Sequence, residues 1–167
     1  MWGNDLWVLY RQHTHDDFGW EPAFNLGCTI NTSFDEDGPT YFEDEATAVT
    51  TLYFTSFNRL GNVGDWDIYA STLQADGTFG PGQLVPELCS IGRDTRTSIS
   101  RNGLEMFITS NRTGGLGGLD LWVSVFVSLK RTKLVDVVQV DLSSAESRTA
   151  TRCCFVVRIL APAIERR

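Results

Sequence analysis

LYFTSFNRLGNVGDWDIYAS, residues 52–71, returns 53 positions later as EMFITSNRTGGLGGLDLWVS, residues 105–124. Seven of the twenty aligned residues are identical, and most other pairs are conservative replacements. The identical pairs are Phe54/Phe107, Asn58/Asn111, Arg59/Arg112, Gly61/Gly114, Gly64/Gly117, Asp67/Asp120 and Ser71/Ser124. A partial third copy, NDLWV at 4–8, matches the end of the stretch. Because an internal repeat sets the architecture of a chain, it is interpreted before any other feature.

Each copy has the composition of a β-hairpin. The runs 52–56 and 106–110 are rich in β-branched and aromatic residues, and each is followed by Asn-Arg, a glycine-rich turn and a second such run. Further short runs flank each hairpin without a helical pattern between them, which predicts four antiparallel strands per unit. We expect hairpins at 51–72 and 104–125 and a partial unit at 3–30. The side chains expected to pack between sheets are Tyr53, Phe54, Ile68, Met106, Phe107 and Leu121.

Units of four antiparallel strands that repeat every ~40–50 residues are typical of β-propeller blades. The hairpin TSNRTGGLGGLDLWVS resembles the repeat of TolB-type, WD-repeat-like β-propellers, in which one strand ends in Ser-Asp/Asn-Arg and the next begins with Asp-aliphatic-aromatic. The resemblance covers about residues 3–125, and the Asp residues of the three copies are spaced by 62 and 53 positions. The Gly-His dipeptide of true WD repeats is absent, and Kelch repeats are the alternative. The resemblance implies an all-β fold, a partial β-propeller of about two four-stranded antiparallel blades plus part of another.

The number of units suggests an incomplete ring. A closed propeller needs at least about four blades, so we expect this chain to be a fragment of a longer protein. Two blades leave sheet faces and strand edges open. We therefore expect the isolated chain to be marginally stable or to associate with copies of itself.

The composition changes sharply near residue 125. All fifteen glycines lie at or before Gly118, and all tryptophans and tyrosines lie at or before Trp122. Residues 1–125 carry six arginines and no lysine against seventeen acidic residues, a net charge of −11, whereas residues 126–167 carry a net charge of +4. We interpret 1–125 as the blades and 126–167 as an atypical tail. The tail is either a divergent strand with an extension or an artefact of reading frame, and its Val-rich runs at 134–142 and 153–160 are strand candidates.

Several function classes find no support in the sequence. There is no P-loop, no nucleophile elbow and no paired Cys-x-x-Cys, and no apolar run reaches the ~18 residues of a membrane span. The acidic body argues against nucleic acid, which requires basic patches. We expect no cofactor. Cys28 and Cys89, 61 positions apart, are interpreted as equivalent small buried residues of successive units.

Six polar residues are expected to mark a ligand-binding face. In propellers of the kind that this chain resembles, the loops that enter the first strand of a blade and the loops of the central hairpin open on one face. Asp37 and Asp94, matched by a shift of 57, enter the first strand of successive units, and an Asn-Arg pair follows each second strand. The expected site residues are Asp37, Asp94, Asn58, Arg59, Asn111 and Arg112. Alternatively, Arg59 and Arg112 pair with Asp67 and Asp120 and stabilise the hairpin turns, a structural role that recurrence in both units favours.

Two further clusters admit a metal or a simpler interpretation. The acidic residues at 35–37 and 43–45 suit a calcium ion, but they lack the later ligands of an EF-hand loop, and a solvated turn is the alternative. His13 and His15, which precede two aspartates, suit a transition metal. The alternative for the histidines is an exposed loop, and we assign neither cluster a metal.

The resemblance implies a non-catalytic scaffold that binds a protein or a cell-envelope ligand, in the periplasm or outside the cell. The alternative is a fragment of a carbohydrate-active, glycosidase-like propeller, in which Asp37, Glu43 and Asp94 are carboxylates around the axis. A glycosidase would carry different acids in different blades. Asp37 and Asp94 repeat, whereas Glu43 matches Ser100, so the sequence favours the scaffold.

Overall fold

The computed structural model describes residues 3–126 and 134–139, and this part of the chain is built from β-strands. Within these residues, ten strands follow one another, with one short 3₁₀ turn at Pro86–Leu88. The strands are β1 Trp7–Val8, β2 Phe24–Asn25, β3 Glu36–Asp44, β4 Val49–Phe57, β5 Trp66–Thr72, β6 Gln83–Leu84, β7 Asp94–Ile99, β8 Glu105–Ser110, β9 Asp120–Phe126 and β10 Leu134–Gln139. None of the described residues belongs to a helix long and apolar enough to cross a membrane.

The strands form three antiparallel sheets. β1 pairs with β2, the first four-stranded sheet has the order β3-β4-β5-β6, and the second has the order β7-β8-β9-β10. In both four-stranded sheets, strands that are neighbours in the chain are neighbours in the sheet, which is a β-meander. The all-β class is confirmed, and the predicted hairpins at 51–72 and 104–125 are confirmed as β4–β5 and β8–β9.

The two hairpins correspond in a register that differs by one residue from the sequence alignment. Phe54 of β4 and Ile108 of β8 occupy the same place relative to the next strand, a shift of 54 rather than 53. Phe57 has no counterpart in the second copy. It pairs with Trp66 and lengthens β4 by one position. Successive side chains of a strand point to opposite faces. A shift of one residue therefore places each β8 side chain on the face opposite to that of the β4 residue aligned with it by sequence.

The packing predicted for two of the six apolar residues, Phe107 and Leu121, was wrong for two different reasons. Phe54, Ile68 and Met106 are fully buried, and Tyr53 is partly buried. Phe107 is only partly buried, because the one-residue difference in register places Ile108 in the core at the position expected for Phe107. Leu121 matches Ile68 correctly, but its side chain is 48 % exposed on the face of the second sheet that points away from the first.

The core consists of two clusters with the same plan. One lies between the β1–β2 pair and the first sheet, and the other lies between the two four-stranded sheets. Five buried residues of the first cluster match five of the second by strand register and loop position. The matched pairs are Leu6/Ile68, Ile30/Leu88, Leu52/Met106, Phe54/Ile108 and Tyr69/Trp122. The repeated residues thus form both the interior of each unit and the contact between one unit and the next.

The first strands of the two large sheets, β3 and β7, lie against each other. Both contain an irregularity in pairing at equivalent positions, where Gly38 (φ 60°) and Arg96 (φ 45°) adopt left-handed backbone conformations. The Thr40 hydroxyl donates a hydrogen bond to the carbonyl of Thr97 across this contact. A β-bulge is expected to bend and twist a strand locally, and here it recurs where the two sheets meet.

The predicted tail at 126–167 is described only at Phe126 and in β10. β10 pairs with β9 and completes the second four-stranded sheet, which confirms strand formation over the first part of the 134–142 run. The remainder of that run and the run at 153–160 lie outside the described residues. The reading-frame hypothesis therefore stays a prediction.

Candidate functional site at the loop end

Four loops meet at one end of the sheets, and we call this surface the loop end. It consists of residues 32–35, 58–65, 89–93 and 111–119. Gly64 approaches the next loop so closely that a Cβ there would lie 2.0 Å from the carbonyl oxygen of Gly92. The backbone N–H of Arg93 in turn donates to Oδ1 of Asn111 at 2.6 Å. These contacts join loops of both units into one continuous surface.

Beneath this surface, Asp94 is fully buried and accepts four hydrogen bonds. Oδ1 accepts from the hydroxyl of Ser110 at 2.5 Å and from Nη2 of Arg112 at 2.6 Å. Oδ2 accepts from the backbone N–H of Ser90 at 2.5 Å and from its hydroxyl at 2.7 Å. Charge-assisted bonds of this kind are about twice as strong as neutral ones. Asp94 therefore joins three segments of the second unit.

Arg112 has a 13 % exposed side chain and makes further contacts inside the protein. Nη2 also donates to the carbonyl oxygen of Leu88 at 2.7 Å, and Nε donates to the Ser110 hydroxyl at 3.0 Å. The guanidinium carbon lies 5.5 Å from the ring centroid of Trp122, within cation–π range. Arg112 thus connects the hairpin loop to the segment that enters the same sheet.

Arg59 plays the matching part in the first unit. Nη1 donates to the carbonyl oxygen of Ile30 at 3.0 Å, and the guanidinium carbon lies 4.7 Å from the ring centroid of Tyr69. Ile30 and Tyr69 are the counterparts of Leu88 and Trp122. The arginines therefore have a structural role in both units, as the repeat suggested, but their acceptors are carbonyls and Asp94 in place of the expected aspartates.

The expected aspartates instead hold the turns of the two hairpins. Oδ2 of Asp67 accepts from the backbone N–H groups of Val63 at 2.6 Å and Gly64 at 2.9 Å. Oδ2 of Asp120 accepts from the matching N–H groups of the second turn, at 2.8 and 3.3 Å. Each carboxylate thereby satisfies backbone donors of its own glycine-rich loop.

The counterpart of Asp94 in the first unit is Glu36, which the sequence alignment missed. Glu36 is 2 % exposed, and its carboxylate accepts from the N–H and hydroxyl of Thr32 at 2.8 and 2.7 Å and from the hydroxyl of Ser56 at 2.8 Å. Equivalent residues of β3 and β7 are 58 positions apart, which matches Glu36 with Asp94. The shift of 57 that the sequence suggests matches Asp37 with Asp94 instead. The available signal was a hydroxyl residue four positions before the acid, Thr32 before Glu36 and Ser90 before Asp94.

The six predicted site residues are divided between interior and surface. Asp94, Arg112 and Arg59 lie within the structural network, whereas Asn58 and Asn111 are exposed on the loop end. Asp37 lies in the β3 irregularity, where its exposed carboxylate is 3.8 Å from the guanidinium of Arg96. The structure therefore brings the polar groups of each unit together, and a ligand-binding role for them stays a prediction.

The other candidate residues lie apart from this network. Tyr41 donates a hydrogen bond to Glu43 at 2.9 Å, and burial together with this carboxylate raises the pKa of Tyr41. His13 and His15 are exposed, and in the described residues no three His, Cys, Asp or Glu side chains are grouped to hold a metal ion. Within the acidic stretch 35–37, Glu36 is buried, so the simple solvated-turn interpretation does not hold for it.

Cys89 is equivalent to Asn31, and its expected equivalence to the exposed Cys28 was wrong. The Asn31 side chain bonds to both the N–H and the carbonyl of Leu6, at 2.8 and 3.0 Å. The Cys89 sulfur likewise accepts from the N–H of Ile68, the counterpart of Leu6, at 3.4 Å. Burial is the main cause that raises the pKa of the Cys89 thiol.

We predict a large difference in alkylation between Cys28 and Cys89. Only the thiolate is an effective nucleophile, and Cys89 is both partly buried and held as the neutral thiol by its raised pKa. Iodoacetamide treatment at pH 8, followed by peptide mass spectrometry, should show modification of Cys28 at least tenfold faster. In urea the two rates should converge. Equal rates in the folded protein would contradict the placement of Cys89.

Sequence reasoning did not identify the exposed apolar side chains of the loop end. Leu60, Ile91 and Leu116 are 97 %, 86 % and 87 % exposed, one in each of three adjoining loops. Glycine follows each of them directly. Comparisons of the chain with protein-family models, with curated proteins and with solved structures each returned no match.

Proposed function

We propose that the chain is a repeat module of the β-propeller type that binds a protein partner or a cell-envelope ligand at the loop end and performs no catalysis. The two four-stranded meanders are proposed to be successive blades, with β3 and β7 as the inner strands. This interpretation is supported by the repeated interface, in which equivalent residues of each unit contact the next. A location in the periplasm or outside the cell is part of the same proposal.

The observation that carries the binding function is the way both units build the loop end. In each unit a buried carboxylate and an arginine are bonded within the protein, so these groups serve to position the loops. The side chains left at the surface include amides, large apolar groups and a few charged groups, which suit recognition of a partner. Binding residues are commonly carried by loops that a rigid scaffold positions.

No contact of the described residues favours the carbohydrate-active alternative. It requires free carboxylates on facing strands, whereas both oxygens of Asp94 accept hydrogen bonds within the protein. Glu43 accepts a bond from Tyr41, and Asp37 faces Arg96. The four bonds to Asp94 therefore support a structural role for that carboxylate and leave only Asp37 and Glu43 for acid–base chemistry.

Self-association through open faces of the sheets is a further part of the proposal. Leu6 and Ile68 are buried where one unit meets the next, whereas their counterpart Leu121 is 48 % exposed. Because residues equivalent to Leu121 are buried at contacts between units, the exposure of Leu121 supports contact of the second sheet with another unit of the same kind.

The binding function can be tested by blocking the loop end. The variant Ser33→Arg/Thr113→Arg places two large cations on it, and the control Thr47→Arg/Ala75→Arg places the same two charges on exposed turns at the opposite end. The full chain and both variants would be immobilised to capture proteins and glycans from the organism's cell-envelope extract. At least one captured species should fall by tenfold or more with the blocking variant and stay unchanged with the control. Equal losses with both variants, or hydrolysis of aryl glycosides by the full chain, would contradict the proposal.

A further inference from the structure

Leu60, Ile91 and Leu116, the three apolar tips of the loop end, are almost fully exposed and have no packing role among the described residues. Leu60, Ile91 and Leu116 expose 97 %, 86 % and 87 % of their surface, more than almost any other large apolar residue described. Single exposed leucines are ordinary on protein surfaces, but a group of them marks an interaction site. Whether these three form a group depends on how their loops are placed.

The loops that carry the tips are in direct contact. Gly64, in the loop of Leu60, lies against Gly92, the neighbour of Ile91. On the other side, a Cβ at Gly92 would lie 2.4 Å from Oδ1 of Asn111, in the loop of Leu116. The loop of Ile91 is therefore held between the other two, and the three tips belong to one surface.

An aromatic residue and a cation lie in or directly beside two of these loops. The guanidinium carbon of Arg93 lies 5.2 Å from the ring centroid of Trp66, and the Phe57 ring lies 5.4 Å from the Trp66 ring. All three are at least partly exposed. Tryptophan and arginine are the residue types most enriched where alanine substitution weakens protein–protein binding. The surface thus combines exposed apolar side chains with an aromatic–arginine pair, a composition that is typical of protein–protein interfaces.

The charge of the body favours a cationic partner. Residues 1–125 carry a net charge of −11, and exposed acids such as Asp65 and Glu87 lie in or beside the loops. Complementary charge speeds encounter and selects partners, so a segment with Lys or Arg around an apolar centre is favoured. The same charge disfavours an anionic membrane, which attracts basic surfaces.

We infer that the loop end binds a polypeptide segment with aliphatic or aromatic side chains flanked by Lys or Arg. The inference rests on the proposed binding function and adds the chemistry of the partner. Leu60, Ile91 and Leu116 supply the apolar contacts, the Trp66–Arg93 pair adds an aromatic surface, and the acidic body selects positive charge.

Selection from a random peptide library displayed on phage tests this chemistry without knowledge of the natural partner. The full chain would be the target, and Leu60→Ser/Ile91→Ser/Leu116→Ser would be compared with Val49→Ser/Leu104→Ser, which changes exposed apolar residues at the opposite end. Surface substitutions of this kind usually change stability little, and circular dichroism checks the fold. Selected peptides should be rich in apolar residues and Lys or Arg and poor in Asp and Glu. Their affinity should fall at least tenfold with the triple variant, stay within twofold with the control, and weaken as salt rises.

The other outcomes separate the inference from the proposed function. Peptides that are acidic or purely polar, yet lose affinity with the triple variant, would overturn the partner chemistry and leave the loop end as the binding site. Peptides that bind the triple variant unchanged would contradict both. Flotation of the chain with phosphatidylcholine vesicles, lost in the triple variant, would assign the tips to a membrane. A dimer by light scattering that the triple variant abolishes would assign them to self-association.

Discussion

The variant Asp94→Ala is expected to lower the free energy of unfolding by about 3–5 kcal/mol, the cost of removing one partner of a buried ion pair. Asp94 is fully buried, and its loss leaves the Arg112 guanidinium and two serine hydroxyls without their shared acceptor. Most of the cost therefore comes from the positive charge of Arg112 left in a side chain that is 13 % exposed. Urea unfolding followed by tryptophan fluorescence measures it.

Asp37→Ala is the matched control, because it removes the same side chain from an exposed ion pair. The Asp37 and Arg96 side chains are 51 % and 74 % exposed, so their interaction is screened by water and is expected to contribute less than about 1 kcal/mol. The double variant Asp94→Ala/Arg112→Met should recover part of the loss, since it removes the unpaired charge. Similar costs for Asp94→Ala and Asp37→Ala would refute the assignment of Asp94 to the interior.

The second large effect is expected in the core and tests the register of the second hairpin. Phe54→Ala should cost about 3–5 kcal/mol and Ile108→Ala about 2–5 kcal/mol, because both side chains are fully buried at equivalent places. Phe107→Ala removes more atoms than Ile108→Ala, yet we expect it to cost less, because Phe107 is only partly buried on the opposite face.

The order of the Ile108→Ala and Phe107→Ala costs is the informative result. If the sequence alignment at a shift of 53 were the structural one, Phe107 would be the counterpart of Phe54 and its loss would be the larger. Urea titration of both variants at equal protein concentration compares them and limits any effect of self-association. A larger cost for Phe107→Ala would mean that β8 lies in the other register.

Much of the fold follows from local sequence. The β-rich runs and the glycine-rich turns between them predict the two hairpins, and the recurrence of Asp, aliphatic and aromatic residues predicts that the units are alike. Strand propensity, alternation and turn chemistry act within a few residues, so they can be recognised without knowing the partners of a strand. The same holds for the strand over Leu134–Gln139, which lies within a Val-rich run.

The strand register of the second hairpin could not be obtained by aligning the two copies of the repeat at one constant shift in residue number. Equivalent residues of the two units are 58 positions apart in the first strand, 54 in the second and 53 in the third. Phe57, which is extra in the first copy, accounts for the change from 54 to 53. Identity at Phe54 and Phe107 supported the wrong pair, because a strand-favouring residue such as Phe can occupy either face of a strand. The pairing of β8 with β9 places Ile108 opposite Trp122 and thereby resolves the ambiguity.

The candidate site shows the same division. The acidic residues before the first strands, the Asn-Arg pairs and the aspartates of the turns are all visible in the sequence, and so is their repetition. Which carboxylate enters the interior depends on long-range contacts: Glu36 meets Ser56, and Asp94 meets Ser110 and Arg112. Burial of a charged group is tolerated only where such partners converge on it, and that convergence is a property of the packed sheets. Local sequence thus determines the strands and turns of this protein, whereas the stacking of its units determines which polar groups are structural and which apolar groups remain exposed at the loop end.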